Sequence, residues 1–247
     1  MKIIIPSLGR AGTSSSMKWL KDTTREIVFA VHSDELEAYV KAYTGVSFMT
    51  LPDSCRHHTG LVRREIFNRI REPFLTCDDD IRVSLKAVVS IDAMFDVLEH
   101  HIEAGATMAG LAPQLFSNFA KTDLINGDLL AKRNNFVATV YAIDPTKFDD
   151  CPLELLPVYE DVALVIHAIQ YGGGTIVSYV ATHSNVSPPK GGCNAWRNEM
   201  ITIESLQTLC RLYPDVCSIK TTTNKTHSQD IGIGLKVAWK KIRRMVQ

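Results

Sequence analysis

Four short β-rich runs alternate with helical patterns over the first 80 residues, and the fourth runs straight into three aspartates. Ile3–Pro6 reads as a strand, and the polar turn from Gly9 to Ser16 leads into a helix near Met17–Lys21. Glu26–Val31 is a second strand, followed by a helix from the Ser33-Asp34 cap to about Tyr43. Val46–Leu51 is a third strand, Leu61–Ile70 a helix, and Pro73–Cys77 the fourth strand. Alternation of this kind predicts an α/β fold with a mostly parallel central sheet and helices on both faces.

The second half predicts a long helix over Leu85–Ala104 and strands over Thr107–Ala112 and Asn135–Ile143. A helix from Glu160 to about Tyr171 is stopped by Gly172-Gly173-Gly174. Ile176–Ala181 is a further strand, Ser187 to Gly192 a polar loop, and Ile201–Tyr213 a helix. Neither an internal repeat nor a linker interrupts the pattern. A length of 247 residues suits one large domain. The expectation is one domain over 1–247, with a nucleotide-binding half (1–110), an acceptor and catalytic half (111–219) and a basic extension (220–247).

Lysine plus arginine total 27 and aspartate plus glutamate total 27, so overall charge argues for neither nucleic acid nor membrane. The distribution is uneven. Residues 220–247 hold seven basic side chains against Asp230, a local charge of +6 balanced by −6 in the rest of the chain. The first apolar run, Ile3–Ile5, is too short for a signal peptide, and no stretch approaches the ~18 apolar residues of a spanning helix. Six cysteines are scattered without a C-x-x-C pair, which reads as free thiols in a reducing compartment. A soluble, cytoplasmic protein is expected, in which the sequons at Asn185 and Asn224 carry no meaning.

The chemistry is concentrated in a few short motifs. Asp78-Asp79-Asp80 lies at the carboxyl end of a buried strand, where open α/β sheets place their ligands. Adjacent acids repel one another, and oxygen-only donors suit Mn²⁺ or Mg²⁺ bridging carboxylates to a diphosphate. A solvated acidic turn has the same composition. Pro6-Ser7-x-Gly9-Arg10 follows the first strand, where backbone amides and Arg10 are placed to meet a phosphate. It is neither a Walker loop nor a dinucleotide fingerprint, and an ordinary β–α turn looks alike. Tyr159-Glu160-Asp161 opens an apolar helix. The helix dipole alone favours acids there, and one of them is also placed to act as a general base. His183 is a candidate to complete the metal shell, with Lys190-Gly191-Gly192 folding over a diphosphate. Arg63 and Arg64 precede the aspartates on a helix, either as a neutralising or phosphate-binding pair or as surface cations.

In this order the motifs resemble GT-A glycosyltransferases over nearly the whole chain: Ile5-Pro6-Ser7, the D-x-D of Asp78-Asp79-Asp80, the later Glu160-Asp161, and His183. The resemblance implies a nucleotide-sugar donor and a divalent metal on Asp78 and Asp80, with Asp161 as base in an inverting transfer. It also implies that the first turn and the second strand's end, near His32, hold a uracil-type base and ribose. More narrowly, I-I-I-P-S-L-G-R-A-G-T, V-F-A-V-H-S-D-E-x-x-x-Y and H-x(6)-K-G-G look like the glycosyltransferases associated with TET-type dioxygenases in bacteriophages. Their implied acceptor is 5-hydroxymethylcytosine in DNA, within an infected host's cytoplasm. The stretch from Phe116 to Asn135, where sugar specificity is expected, offers no readable pattern.

Residues 235–246 suggest one amphipathic helix, with Leu235, Ala238, Trp239, Ile242 and Val246 on one side and Lys236, Lys240, Lys241, Arg243 and Arg244 elsewhere. Its cations suit DNA phosphates or an anionic membrane surface equally. Tyr159, Trp196 and Phe136 are candidate platforms for a flipped base. A nucleotidyltransferase, a nuclease, a non-catalytic DNA-binding module and a transferase acting on glycan, protein or small molecule are the rival readings.

Overall fold

The computed structural model describes residues 1–114, 123–125, 128–186, 191–221 and 233–245. β1 (Ile3–Pro6), β2 (Ile27–His32), β3 (Ser47–Leu51) and β4 (Phe74–Cys77) run parallel in the order β3-β2-β1-β4. Beyond β4 comes β9 (Val140–Ile143), antiparallel to it, then β6 (Met108–Pro113) and β10 (Thr175–Asn185), which are parallel to each other. β8 (Asp128–Arg133) and β7 (Asp123–Ile125) finish that edge, and β5 (Ile81–Leu85) pairs antiparallel with the end of β10. This is the mostly parallel arrangement that the alternation predicts and the GT-A resemblance implies.

Alternating side chains of each strand feed two separate cores. Ile4, Val28, Ala30, Phe74, Met108 and Val177 face α3 (Thr59–Arg69), α5 (Glu160–Tyr171), α6 (Glu199–Leu212) and α7 (Trp239–Met245). Ile3, Ile5, Phe29, Leu75, Ala109 and Ile176 face α1 (Met17–Leu20), α2 (Leu36–Ala42) and α4 (Ile91–Glu103). The period-two pattern of the strands thus places helices on both faces.

Three elements differ from expectation. The long helix begins at Ile91, not Leu85, because the Ser90 hydroxyl accepts from the Ala93 amide as an N-cap. Ile81–Leu85 pairs with β10 instead, and Val89 is 97% exposed. Asn135–Ile143 is strand only from Val140. At the C-terminus, Leu235 and Lys236 lie in β12 (Ile233–Val237), a strand paired antiparallel with β11 (Cys217–Thr221), and the helix starts at Trp239. Leu235, Trp239 and Ile242 also fit helical spacing, so periodicity alone assigned them to one helix.

Candidate active site

The parallel strands β1, β2, β3 and β4 end together, and a cavity of ≈ 620 Å³ opens over that edge. The volume falls within the ordinary range of ligand sites. Pro6, Ser7, His32, Leu51 and Asp78–Asp80 contribute from those strand ends. Because β9 runs the other way, its amino end brings Ala138 and Thr139 to the same edge. The first turn of α5 adds Tyr159, Glu160 and Asp161, and the segment after β10 adds Gly192, Cys193, Trp196 and Arg197.

The acid triplet is clamped from behind. Ser16 Oγ donates to the Asp78 carbonyl at 2.5 Å and Ser14 Oγ to the Asp79 carbonyl at 2.8 Å, so the polar turn after β1 holds the aspartate backbone. Asp79 is 4% exposed and takes hydrogen bonds from Ser7 Oγ and Arg10 Nη1. It supports the site and is not presented to a ligand. The Arg10 guanidinium also lies 3.2 Å from Asp80 and 3.3 Å from the Gly191 carbonyl, so both of its terminal nitrogens meet protein acceptors, while its buried Nε has no partner among the described residues. The Gly9 amide is likewise taken, by Glu35 at 2.8 Å. The expected phosphate role of Gly9 and Arg10 is therefore replaced by an internal one: they tie the first turn, the acids and the glycine loop together. Gly191 and Gly192 fit because a Cβ on either would crowd Arg10, at 3.1 Å and 2.5 Å from its side chain.

Asp78 and Asp161 are the exceptional carboxyls. Burial pushes Asp78 up to about 6 against the lowering effect of Arg63, with Asp80, Asp79 and Glu160 adding to the rise. Arg63 Nη2 donates to Asp78 at 3.1 Å, and its Nε lies 3.9 Å from Glu160. Burial raises Asp161 to about 7, reinforced by the charge of Glu160, while one oxygen accepts from the Val162 amide at 2.8 Å. Glu160 itself is held by the Thr59 hydroxyl.

Other expected residues are placed as follows. His32 is 2% exposed, lines the cavity, and among the described residues its Nδ1 has no hydrogen-bond partner. His183 does not line the cavity; it lies within β10, its Nδ1 2.9 Å from Thr139 Oγ1, and burial lowers it to about 4. Its expected place in a metal shell is thus not supported by its position. Arg64 turns to the Phe148 and Cys151 carbonyls. Trp196 lines the cavity and stacks on His57 with centroids 5.6 Å apart, and Arg197 lies over the Tyr159 ring. Phe136 packs on Trp239 instead and is no platform at the cavity. Lys190 lies outside the described residues.

Sequence reasoning missed Thr139, His57, His58, Thr59, Cys193 and Arg197, all on the cavity wall. Thr139, His57 and Tyr159 have φ of 65°, 60° and 68°, a left-handed backbone that costs non-glycine residues of order 1–3 kcal/mol. At Thr139 that conformation is held by the Asp78 amide, which donates to its carbonyl at 2.9 Å, and by His183 on its side chain. No local sequence signal marks these positions, because β-branched threonine is among the poorest choices for that backbone.

An acid-lined cavity at the carboxyl edge of a mostly parallel sheet lies where open α/β folds bind their ligands. The family model for TET-associated glycosyltransferases matches residues 1–143, and the chain belongs to that family. A comparison with curated protein sequences returns no match. Solved structures with a similar fold include S. aureus TarS 1-349, at 15% identity and TM-score 0.43, covering 72% of this chain and 58% of that one. A mannose-1-phosphate geranyltransferase from Thermus thermophilus is 12% identical, with TM-score 0.44 and coverage of 74% and 75%. A UDP-glucose pyrophosphorylase complexed with UDP-glucose is 11% identical, with TM-score 0.49 and coverage of 85% and 98%. The chain spans only 58% of the TarS fragment, and likeness at these levels assigns no activity. Among the described residues no helix is long and apolar enough to cross a membrane.

Proposed function

We propose that this chain, acting as one domain in the cytoplasm of an infected bacterium, transfers a sugar from a UDP-sugar to 5-hydroxymethylcytosine in DNA. The observation that carries the reading is the meeting of two acid groups on one cavity: Asp78 and Asp80 from the end of β4, and Glu160 and Asp161 from the start of α5. A general base must be ionised near working pH yet retain basicity. A carboxyl raised to about 7 meets both requirements, and ordinary exposed aspartates do not. Asp161 takes the proton of the hydroxymethyl group as its oxygen attacks the anomeric carbon. That bond forms as the bond to the nucleoside diphosphate breaks, and the product is inverted. Glu160 keeps Asp161 basic through its adjacent charge.

The donor's base and ribose fit beside Pro6, Ser7 and His32, where the buried His32 Nδ1 offers an unused hydrogen-bonding atom. Its diphosphate then lies toward Asp78 and Asp80. Five carboxylates and three guanidiniums line the cavity, and a diphosphate adds further negative charge. That imbalance fits a divalent cation on Asp80 and Asp78. Among the described residues no group of three His, Cys, Asp or Glu side chains is placed to hold a metal, so a cation on Asp78 and Asp80 would need further oxygen donors from the diphosphate or water. Bound Mn²⁺ or Mg²⁺ supplies Lewis-acid stabilisation of the departing diphosphate. Tyr159 and Trp196 flank the acceptor as stacking surfaces.

The reading is tested by nucleoside-diphosphate release from a panel of nucleotide sugars with Mn²⁺, with and without hydroxymethylcytosine DNA, alongside Asp80→Ala. DNA-stimulated release that is lost in Asp80→Ala is expected. Release without DNA stimulation removes the DNA acceptor and keeps the transferase. No release with any donor overturns the reading.

A further inference from the structure

β11 and β12 form an antiparallel ribbon separate from the main sheet, pairing Ser218 with Lys236 and Lys220 with Gly234. Directly opposed residues share a face. One side of the ribbon is therefore Ser218, Lys220, Gly234 and Lys236, and the other pairs Cys217 with Val237 and Ile219 with Leu235. α7 follows at once. Its Ile242 is fully buried, Trp239 packs on Phe136 at 5.8 Å, and the helix lies against α5. Lys220, Lys236, Lys240, Lys241 and Arg244 are all exposed, with Lys241 3.4 Å from Asp215. The transfer mechanism uses none of them.

We propose that the ribbon and α7 form a platform for the phosphate backbone of duplex DNA; this rests on the DNA-acceptor reading and adds the surface that holds the polymer. Two arguments select a nucleic acid over an anionic bilayer. An interfacial helix needs a free apolar face to enter the lipid boundary, whereas Trp239 and Ile242 are already turned to the core. Outward on the two adjoining elements are Lys220, Lys236, Lys240, Lys241 and Arg244, beside a partly exposed Ile219, in a stretch of sequence with a charge of +6. Such a cluster of cations holds a polyanion by its phosphates. The platform also adjoins the site: Phe136, which Trp239 contacts, is two residues from Ala138 on the cavity wall, at most about 7 Å of chain.

The experiment measures binding of the full chain to an unmodified short duplex by fluorescence anisotropy, as a function of salt. The substitutions Lys236→Gln, Lys240→Gln and Arg244→Gln are tested singly and together. Each phosphate contact contributes a slope of about −0.9 in log K against log salt. The triple variant should bind roughly tenfold or more weakly at low salt, with a slope shallower by about 2–3. Each single variant should lower the slope by about one, so the test stands even if the triple variant fails to fold. Nucleotide-sugar turnover with free 5-hydroxymethyldeoxycytidine reports on the transferase reading independently. Unchanged affinity and slope overturn the platform. So does a triple variant that loses binding to phosphatidylcholine–phosphatidylglycerol vesicles while its duplex binding stays intact. A wild-type chain that binds no duplex yet glycosylates the free nucleoside overturns the platform and leaves the transfer chemistry standing.

Discussion

Asp161 sits where burial and the adjacent Glu160 both penalise its charge, and Asp79 sits where Arg10 and Ser7 offset part of the penalty that burial imposes. The two carboxyls therefore answer differently to substitution. Asp161→Asn should reduce turnover by about 10²–10⁴ while leaving donor binding intact, as read from kcat and from donor affinity separately. In the wild type, log kcat should climb with unit slope as pH rises toward about 7 and then level off, because only the ionised carboxylate accepts the proton. A rate independent of pH between 5 and 8, about the span around that value, argues against Asp161 as base. Arg10→Ala leaves Asp79 buried with Ser7 as its remaining side-chain partner and raises its carboxyl further, at a cost of about 3–5 kcal/mol. Urea unfolding measures it, and the double variant with Asp79→Asn should recover most of the loss, since the more buried of Arg10's two carboxylate partners is then neutral.

At the scale of elements, α3 matters more than its amphipathicity suggests, because it carries Arg63 beneath Asp78. Gly60 lets it approach. A Cβ there would lie 2.0 Å from the Leu153 carbonyl oxygen and 2.6 Å from that of Leu156. Alanine is the better helix former by about 1 kcal/mol, but overlap with two backbone carbonyls outweighs that gain. Gly60→Ala should be destabilising by about 2 kcal/mol net, and thermal unfolding should show it with reduced activity. The elements also show what was legible in the sequence. β1 to β4 and α5 were readable because each is punctuated, by turn residues or by Gly172-Gly173-Gly174. Ile81–Leu85 was missed although Ile81, Val83 and Leu85 alternate as in a strand, because Leu85, Val88 and Val89 also fit helical spacing and only the Ser90 cap marks the true helix start. That Asp78, Asp80, Glu160 and Asp161 reach one cavity was legible from their strand-end and helix-start positions. Thr139, His57 and Arg197 were not, since they reach the cavity through strand order and backbone conformation, which no short window encodes.

For the molecule as a whole, the raised carboxyls set a pH dependence of stability. Asp78 at about 6 and Asp161 at about 7 bind protons more readily folded than unfolded. Their contribution is complete below the unfolded carboxylate range and is lost as pH rises through 6 and 7. The ligand-free protein should thus lose stability between about pH 4 and 7 on their account. Asp161→Asn should be the more stable form at pH 8 by on the order of 2 kcal/mol after allowance for cavity water, or roughly 4–8 °C in Tm. Calorimetry across that range decides it; a variant less stable than wild type at pH 8 contradicts the account.

β9 lies between β4 and β6, and β10 lies on the other side of β6. During synthesis β6 leaves the ribosome before either of these neighbours exists. A central strand then waits with both edges open, the condition in which strands recruit other chains. Its sequence, Met-Ala-Gly-Leu-Ala-Pro, is poor in the residues that favour strands. We take that weakness to be protective during the wait. Replacing Ala109 and Ala112 with valine should then raise the aggregated fraction of chains stalled between β6 and β9, and an unchanged fraction would show that α4, packed on β6 from the start, is shelter enough.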